Sequence, residues 1–224
     1  MKLVAIPSPN QDSRGDAPVS MLVLHYTGMA SAEAALSRLC DPAARVSAHY
    51  TIGEDGTVYA HVPEDRRAWH AGLSYWAGIR DVNAHSIGIE LVNPGHEFGY
   101  RAFSNAQIAA LTSLCNAILG RHAIPAWNVL GHSDVAPARK DDPGELFPWS
   151  ELAHAGIGLW PAPGDAGVGA EALERYGYDP DAPLEKRITA FQRHFQPDNL
   201  SGNWDEDCGR RLAGLLAKAS YSVL

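Results

Sequence analysis

Residues Trp127 to Trp149 read WNVLGHSDVAPARKDDPGELFPW. The opening WNVL is a short apolar run and reads as a buried strand. Behind it lies a loop dense in Pro and Gly that carries His132, Lys140 and Asp142. Functional groups commonly sit on loops held by such a scaffold. An imidazole and a carboxylate are ligands for a borderline ion such as zinc. An ammonium beside them has a use if negative charge develops during a reaction. A further imidazole, His25, ends the apolar run of VSMLVLHYT. Alone, it reads as a half-buried histidine bonded to backbone. Together, two strand ends and one loop could bring His25, His132 and Asp142 to a single metal. Three protein ligands and one open position is the catalytic-zinc pattern.

Outward from this stretch, residues 1–155 alternate strand and helix signals. Val19 to Tyr26 and Ser86 to Val92 (SIGIELV) read as buried strands. Ser47 to Ile52 and Thr57 to Val62 flank Gly-Glu-Asp-Gly, a hairpin signal. Ser31 can cap a helix that Asp41-Pro42 ends. Ser104 and Gln107 form a capping box. The helix behind them carries Ile108, Leu111, Leu114, Cys115 and Ile118 on one face and stops near Gly120. This order predicts an α/β fold with a mixed central sheet flanked by helices.

Residues 155–170 hold five Gly and two Pro, and a linker is expected over 156–169. Three helical patterns come after it: AEALERYGY; Leu184, Ile188, Phe191 and Phe195; and Cys208, Leu212, Leu215 and Leu216 behind a capping box of Asn203 and Glu206. They predict a small all-α three-helix domain over 170–224, marginal by itself in size.

Composition narrows the function. With 46% hydrophobic and 20% charged residues, the 224-residue chain is an ordinary globular protein. A net charge of −8 argues against a nucleic-acid partner and against attraction to an anionic membrane. No run approaches the length of a membrane span. The three cysteines, Cys40, Cys115 and Cys208, are too scattered for a disulfide framework. Free thiols suit a reducing compartment, and the N-terminal residues do not read as a secretory signal. The expected location is therefore the cytoplasm; the periplasm or outer membrane is the alternative if a signal sequence has been removed.

Glu90 lies inside the apolar SIGIELV. An unpaired carboxylate there costs several kcal/mol. It faces solvent, pairs with an Arg, or serves as a general base whose pKa burial raises. Other hydrolase signatures fail. His96 to Tyr100 begins like HExxH but ends in Tyr, and Gly131 to Val135 begins like GxSxG but lacks the final Gly.

The pieces LHYT, SAHYTIGEDGTVYAHVPEDRRAWHAG, NAHSIGIELVNPG and GHSDVAPARKDDPG occur in this order over residues 21–149. This part resembles the zinc-dependent bacterial N-acetylmuramoyl-L-alanine amidases, relatives of phage lysozyme-type amidases and animal peptidoglycan recognition proteins. The resemblance implies one zinc per chain held by His25, His132 and Asp142. It implies Glu90 as acid/base and Lys140 as oxyanion stabiliser, with Trp69, His70 and Asn83 along the substrate cleft. The implied substrates are muropeptides or peptidoglycan, and the implied place is muropeptide recycling. A peptidoglycan-binding receptor without turnover is the alternative. The tail, RYGY…RITAFQRHFQP…SGNWDEDCGRRLAGLLA, resembles a peptidoglycan-binding-type helical domain.

Overall fold

The computed structural model describes residues 2–221, with side chains to residue 218. The chain lays down strands β1 (Leu3–Ala5), β2 (Gln11–Ser13) and β3 (Met21–Tyr26), then helix α1 (Ala32–Cys40). Strands β4 (Tyr50–Ile52), β5 (Val58–Ala60) and β6 (Arg66–Ala68) precede the one-turn helix α2 (Val82–His85), which runs directly into β7 (Ser86–Leu91). Helices α3 (Gly95–Phe98) and α4 (Asn105–Leu119), strand β8 (Val129–Gly131), and helices α5 (His132–Val135) and α6 (Trp149–His154) come next. The tail contributes α7 (Leu173–Tyr176), α8 (Leu184–Phe195) and α9 (Glu206–Tyr221).

Six strands form one sheet in the order β1-β5-β4-β7-β3-β8, and β2 pairs with β6 apart from it. β3 lies between β7 and β8, parallel to both, and only β4 and β5 run antiparallel within the large sheet. The expected mixed sheet flanked by helices is the architecture found. β3 and β7 are buried on both faces, which explains why their sequences read as near-continuous apolar runs.

The two faces of these central strands do different work. Leu22, Leu24, Ile87, Ile89 and Leu91 pack against Leu111, Leu114, Cys115 and Ile118 of α4. Burial of such side chains contributes about 1.5–3 kcal/mol each. The Ser104–Gln107 capping box is present, but a cap is worth about 1 kcal/mol. Packing therefore holds α4, and the cap fixes where it begins. On the opposite face Met21 and Val23 join Trp76, Val82, Leu130 and Val135 in a second core. That core continues without a break into Leu173, Tyr178, Ile188, Phe191, Phe195, Cys208, Leu212 and Leu215 of the tail.

Several expectations change in detail. The strand expected over 19–26 begins at Met21, and the one expected over 127–131 is a 3₁₀ turn (Ala126–Asn128) followed by β8. The hairpin forms with Ile52 opposite Val58, but its strands are three residues each. The last helix is capped by Asp205, whose Oδ1 accepts the Cys208 N–H at 2.7 Å, rather than by Asn203. The Gly/Pro-rich segment is laid along α9: Gly164 and Val168 donate their N–H groups to the carbonyls of Arg210 and Gly209. Gly209 tolerates no side chain there, since a Cβ would lie 2.8 Å from the Val168 carbonyl oxygen. Among the described residues no helix is long and apolar enough to cross a membrane.

Candidate metal centre

Strand register assembles the site. His25 of β3 is the direct partner of Glu90 on β7, so the two side chains leave the sheet side by side on one face. Leu24 pairs with Gly131 at the end of β8, which brings His132 next to His25. The loop after α5 then returns Asp142, whose backbone carbonyl accepts the Ser133 N–H at 2.9 Å. All three side chains are buried.

Their donor atoms meet at one point. His25 Nδ1 lies 2.9 Å from His132 Nδ1, and each is 3.0 Å from Asp142 Oδ2. The outer hydrogen bonds settle what these atoms carry. His132 Nε2 lies 3.1 Å from the Ala71 carbonyl oxygen, which can only accept, so Nε2 bears the proton and Nδ1 a lone pair. His25 Nε2 is engaged with His70 Nδ1 at 3.0 Å, again turning Nδ1 inward. Burial lowers the His25 pKa to about 4, with His132 adding to the shift and Asp142 opposing it. Burial pushes the Asp142 carboxyl up, yet His132 and His25, once protonated toward it, hold it well below the usual carboxylate range. Two imidazole lone pairs and a carboxylate oxygen facing one another inside the protein repel unless a cation lies among them. The donor set, two nitrogens and one oxygen, suits zinc. Tetrahedral zinc at its usual bond lengths needs its ligands roughly 3.3 Å apart, a few tenths of an ångström from the spacing here.

His132 and Asp142 line a cavity of about 380 Å³, together with Glu90, Lys140, Trp69 and Tyr26, and His25 meets them at its wall. Burial pushes the Glu90 carboxyl well above its usual range; Asp142 adds to this and Lys140 opposes it. Glu90 Oε2 has no hydrogen-bond partner among the described residues. Lys140 makes no ion pair among the described residues.

A sequence model of the N-acetylmuramoyl-L-alanine amidase family matches residues 15–145. The chain belongs to this family. It is 39% identical to the N-acetylmuramoyl-L-alanine amidase AmiD of Escherichia coli K12, over 89% of this chain and 83% of that protein. The structure of AmiD in complex with anhydro-N-acetylmuramic acid-L-Ala-D-γ-Glu-L-Lys superposes with a TM-score of 0.80 at 37% identity, covering 92% of each chain. AmpDh3 of Pseudomonas aeruginosa, in complex with an anhydromuramic pentapeptide, superposes with a TM-score of 0.79 at 34% identity, covering 96% of each chain.

The residues expected along the cleft of this amidase-family chain divide into two groups. Trp69 and His70 line the cavity, but both nitrogens of His70 are committed to His25 and Ser86. Asn83 lies behind the wall. Its Oδ1 accepts the N–H groups of His70 and Ala71 at 3.1 and 2.8 Å, so it holds the strip that contacts both histidine ligands.

Asp134 did not stand out in the sequence. It is fully buried and accepts from the Gly131 N–H at 2.7 Å, from Tyr178 Oη at 2.6 Å and from His194 Nδ1 at 2.7 Å. Tyr178 and His194 come from the tail and hold the turn bearing His132. Arg193 reaches the same loop, 2.9 Å from Asp141 and 3.8 Å from Glu145. Nothing local in the sequence marks Asp134, because its tail partners lie 44 and 60 residues away.

Proposed function

We propose that this chain is a zinc-dependent N-acetylmuramoyl-L-alanine amidase that hydrolyses the amide between the lactyl group of muramic acid and L-alanine of the stem peptide. The observation that carries the reading is the convergence of His25 Nδ1, His132 Nδ1 and Asp142 Oδ2 at the wall of a cavity lined by His132, Asp142, Glu90 and Lys140. Those three residues would hold one zinc per chain. Bound there, zinc supplies Lewis-acid polarisation of a carbonyl and a water acidic enough to react near neutral pH. Glu90 takes a proton from the attacking water and returns it to the leaving amine; a raised pKa suits a carboxylate that must do both. The Lys140 ammonium offsets charge developing on the carbonyl oxygen. Trp69 contributes an apolar wall to the cleft.

The same class of substrate, muropeptides with or without an anhydro ring, is our reading of what the cleft accepts. All proposed chemistry falls within 1–155, and a role for 170–224 in contacting polymeric peptidoglycan belongs to the same proposal. The three unpaired cysteines favour the cytoplasm and muropeptide recycling. Fractionation against cytosolic and envelope markers tests that placement, and recovery in the envelope would overturn it.

The test of activity is turnover of a muramoyl-peptide before and after chelation, with metal analysis. Glu90→Ala and Lys140→Ala are each expected to lose about 10²–10⁴-fold in turnover while retaining zinc. A zinc-loaded protein that binds muropeptide without cleaving it would instead be a recognition protein.

A further inference from the structure

One face of β7 carries Ser86, Gly88 and Glu90 at alternate positions, while Ile87, Ile89 and Leu91 face the α4 core. Glu90 belongs to the proposed chemistry. Ser86 and Gly88 have no part in it, yet both meet His70. A Cβ on Gly88 would lie within 2.6 Å of His70 Nδ1 and Cδ2, so the imidazole rests where a side chain would otherwise stand. Ser86 Oγ lies 3.1 Å from His70 Nε2 and 2.6 Å from the Val82 carbonyl oxygen.

The protons in this chain can be assigned link by link. The Val82 carbonyl can only accept, so the Ser86 hydroxyl donates to it. The Ser86 oxygen is then the acceptor for His70, which places a proton on His70 Nε2. In the neutral ring His70 Nδ1 carries a lone pair and accepts from His25 Nε2–H at 3.0 Å. His25 is left with its Nδ1 lone pair directed at His132 and Asp142. Asn83 fixes the origin of the relay by accepting the backbone N–H groups of His70 and Ala71.

We propose that His70 and Ser86, seated over Gly88 and held by Asn83, are positioning residues that lock His25 in the Nε2–H tautomer and so present Nδ1 to the metal. The inference rests on the metal-site reading above. It gives Ser86 and Gly88 a function and moves His70 and Asn83 from substrate contact to ligand support. Partners of this kind are typically worth about 10–100-fold in metal affinity.

The test is the zinc dissociation constant by chelator competition, joined to imidazole ¹⁵N spectra of the metal-free full chain. Ser86→Ala and His70→Phe are expected to weaken zinc about 10–100-fold. His70→Gln, whose amide can accept from His25 and donate to Ser86, is expected to recover most of that loss. Turnover per zinc-loaded molecule stays near wild type in Ser86→Ala, because Ser86 acts through His70. In the wild-type metal-free spectra His25 and His70 should each be protonated on Nε2. Zinc affinities unchanged in all variants, or His25 protonated on Nδ1, would overturn the relay. The spectra need no variant to fold. A wild-type chain that binds no zinc fails the metal-site reading instead, a result distinct from both.

Discussion

His25 and the pair His132–Asp142 reach the same point from unlike surroundings. His25 sits mid-sheet, with paired strands on both sides and a ring held by His70. His132 and Asp142 stand on a single turn and a loop, held on one side by Ala71 and Tyr100 and on the other by Tyr178, His194 and Arg193 of the tail. One half of the metal centre is supported by its own sheet. The other half is supported in part by residues that arrive after the Gly/Pro-rich segment. The tail is therefore part of the scaffold of the site, whatever else it contacts.

The largest effect should come from removing the tail. A chain ending at residue 155 uncovers Met21, Val23, Trp76, Val82, Leu130 and Val135 on the face the tail now covers. At about 1.5–3 kcal/mol per side chain, even partial exposure removes on the order of 10 kcal/mol. That is comparable with the whole stability of an ordinary domain, about 5–15 kcal/mol. We expect no cooperative unfolding transition and poor solubility. The linker expected over 156–169 implies the opposite result, a catalytic part over 1–155 that folds and cleaves small muropeptides by itself. A soluble 1–155 fragment with native-like circular dichroism and bound zinc would restore that reading.

Next is Asp134→Asn. Three donors converge on this buried carboxylate, and an amide must turn its own NH₂ toward one of them. Breaking a buried charged network of this kind costs about 3–5 kcal/mol. For a chain of this size each kcal/mol is worth about 2–4 °C in Tm, so a fall of roughly 10 °C is expected, with weaker zinc binding. Tyr178→Phe removes one donor and should cost only about 1.5 kcal/mol. Equal effects from the two would mean that Asp134 acts through Tyr178 alone.

Acid should separate the two sides in the metal-free protein. Burial lowers His25 to about 4 and His49 to about 3, both below the ordinary histidine value of 6.5. The unfolded chain binds protons that these folded rings refuse. Their contribution to stability is thus complete above about pH 6.5 and is lost as the pH falls toward 4. Asp142 is shifted the same way from the carboxylate range, so its contribution is lost only below about pH 4. Glu90 has the opposite sign: its raised pKa stabilises at low pH, and that gain is lost as the pH rises above about 4.3. Glu90→Gln removes this opposing term and should make the metal-free protein more stable than wild type at pH 7 while abolishing turnover. In that background the urea midpoint should fall first between about pH 6.5 and 4, from the sheet side. A midpoint flat over that interval would mean that the histidines are not buried as neutral rings.

Both sides are partly legible in sequence, though His25 alone reads as a backbone-bonded histidine. The apolar run SIGIELV marks a buried strand, and Glu90 stands out in it because a carboxylate in an apolar run needs a reason. His132, Lys140 and Asp142 stood out because they share one loop. The relay was not legible, since it needs the ring of His70 to lie over Gly88, a contact set by how β7 and the segment after β6 meet in space. Strands β1, β2 and β6 are three residues each, too short to show a period of two. The docking of the tail was hidden for a related reason. Its apolar stripes predict helices that bury a face, and a stripe does not say against what. The glycines and prolines before it read as slack chain, but Gly209 and Gly164 are used for close packing along α9.

The smallest effect, and the one that resolves the loop side most finely, is expected from Arg193→Ala. The Arg193 side chain is 10% exposed, while its partner Asp141 is 60% exposed, so water screens much of the attraction. Pairs of this kind contribute about 0–1 kcal/mol, which here is a Tm change of no more than about 4 °C. Asp141 lies between Lys140 and Asp142, however, so a looser loop should show in zinc affinity more than in Tm. Salt distinguishes the two possible origins of that loss. At 1 M ionic strength the screening length shrinks to about 3 Å. If the ion pair is responsible, wild type and variant should converge there in zinc affinity, while Asp134→Asn remains defective because its network is buried. A difference that persists in high salt would assign the support to packing of the Arg193 stem. The tail would then hold the Asp141 end of the loop by contact and the Asp134 end by hydrogen bonds.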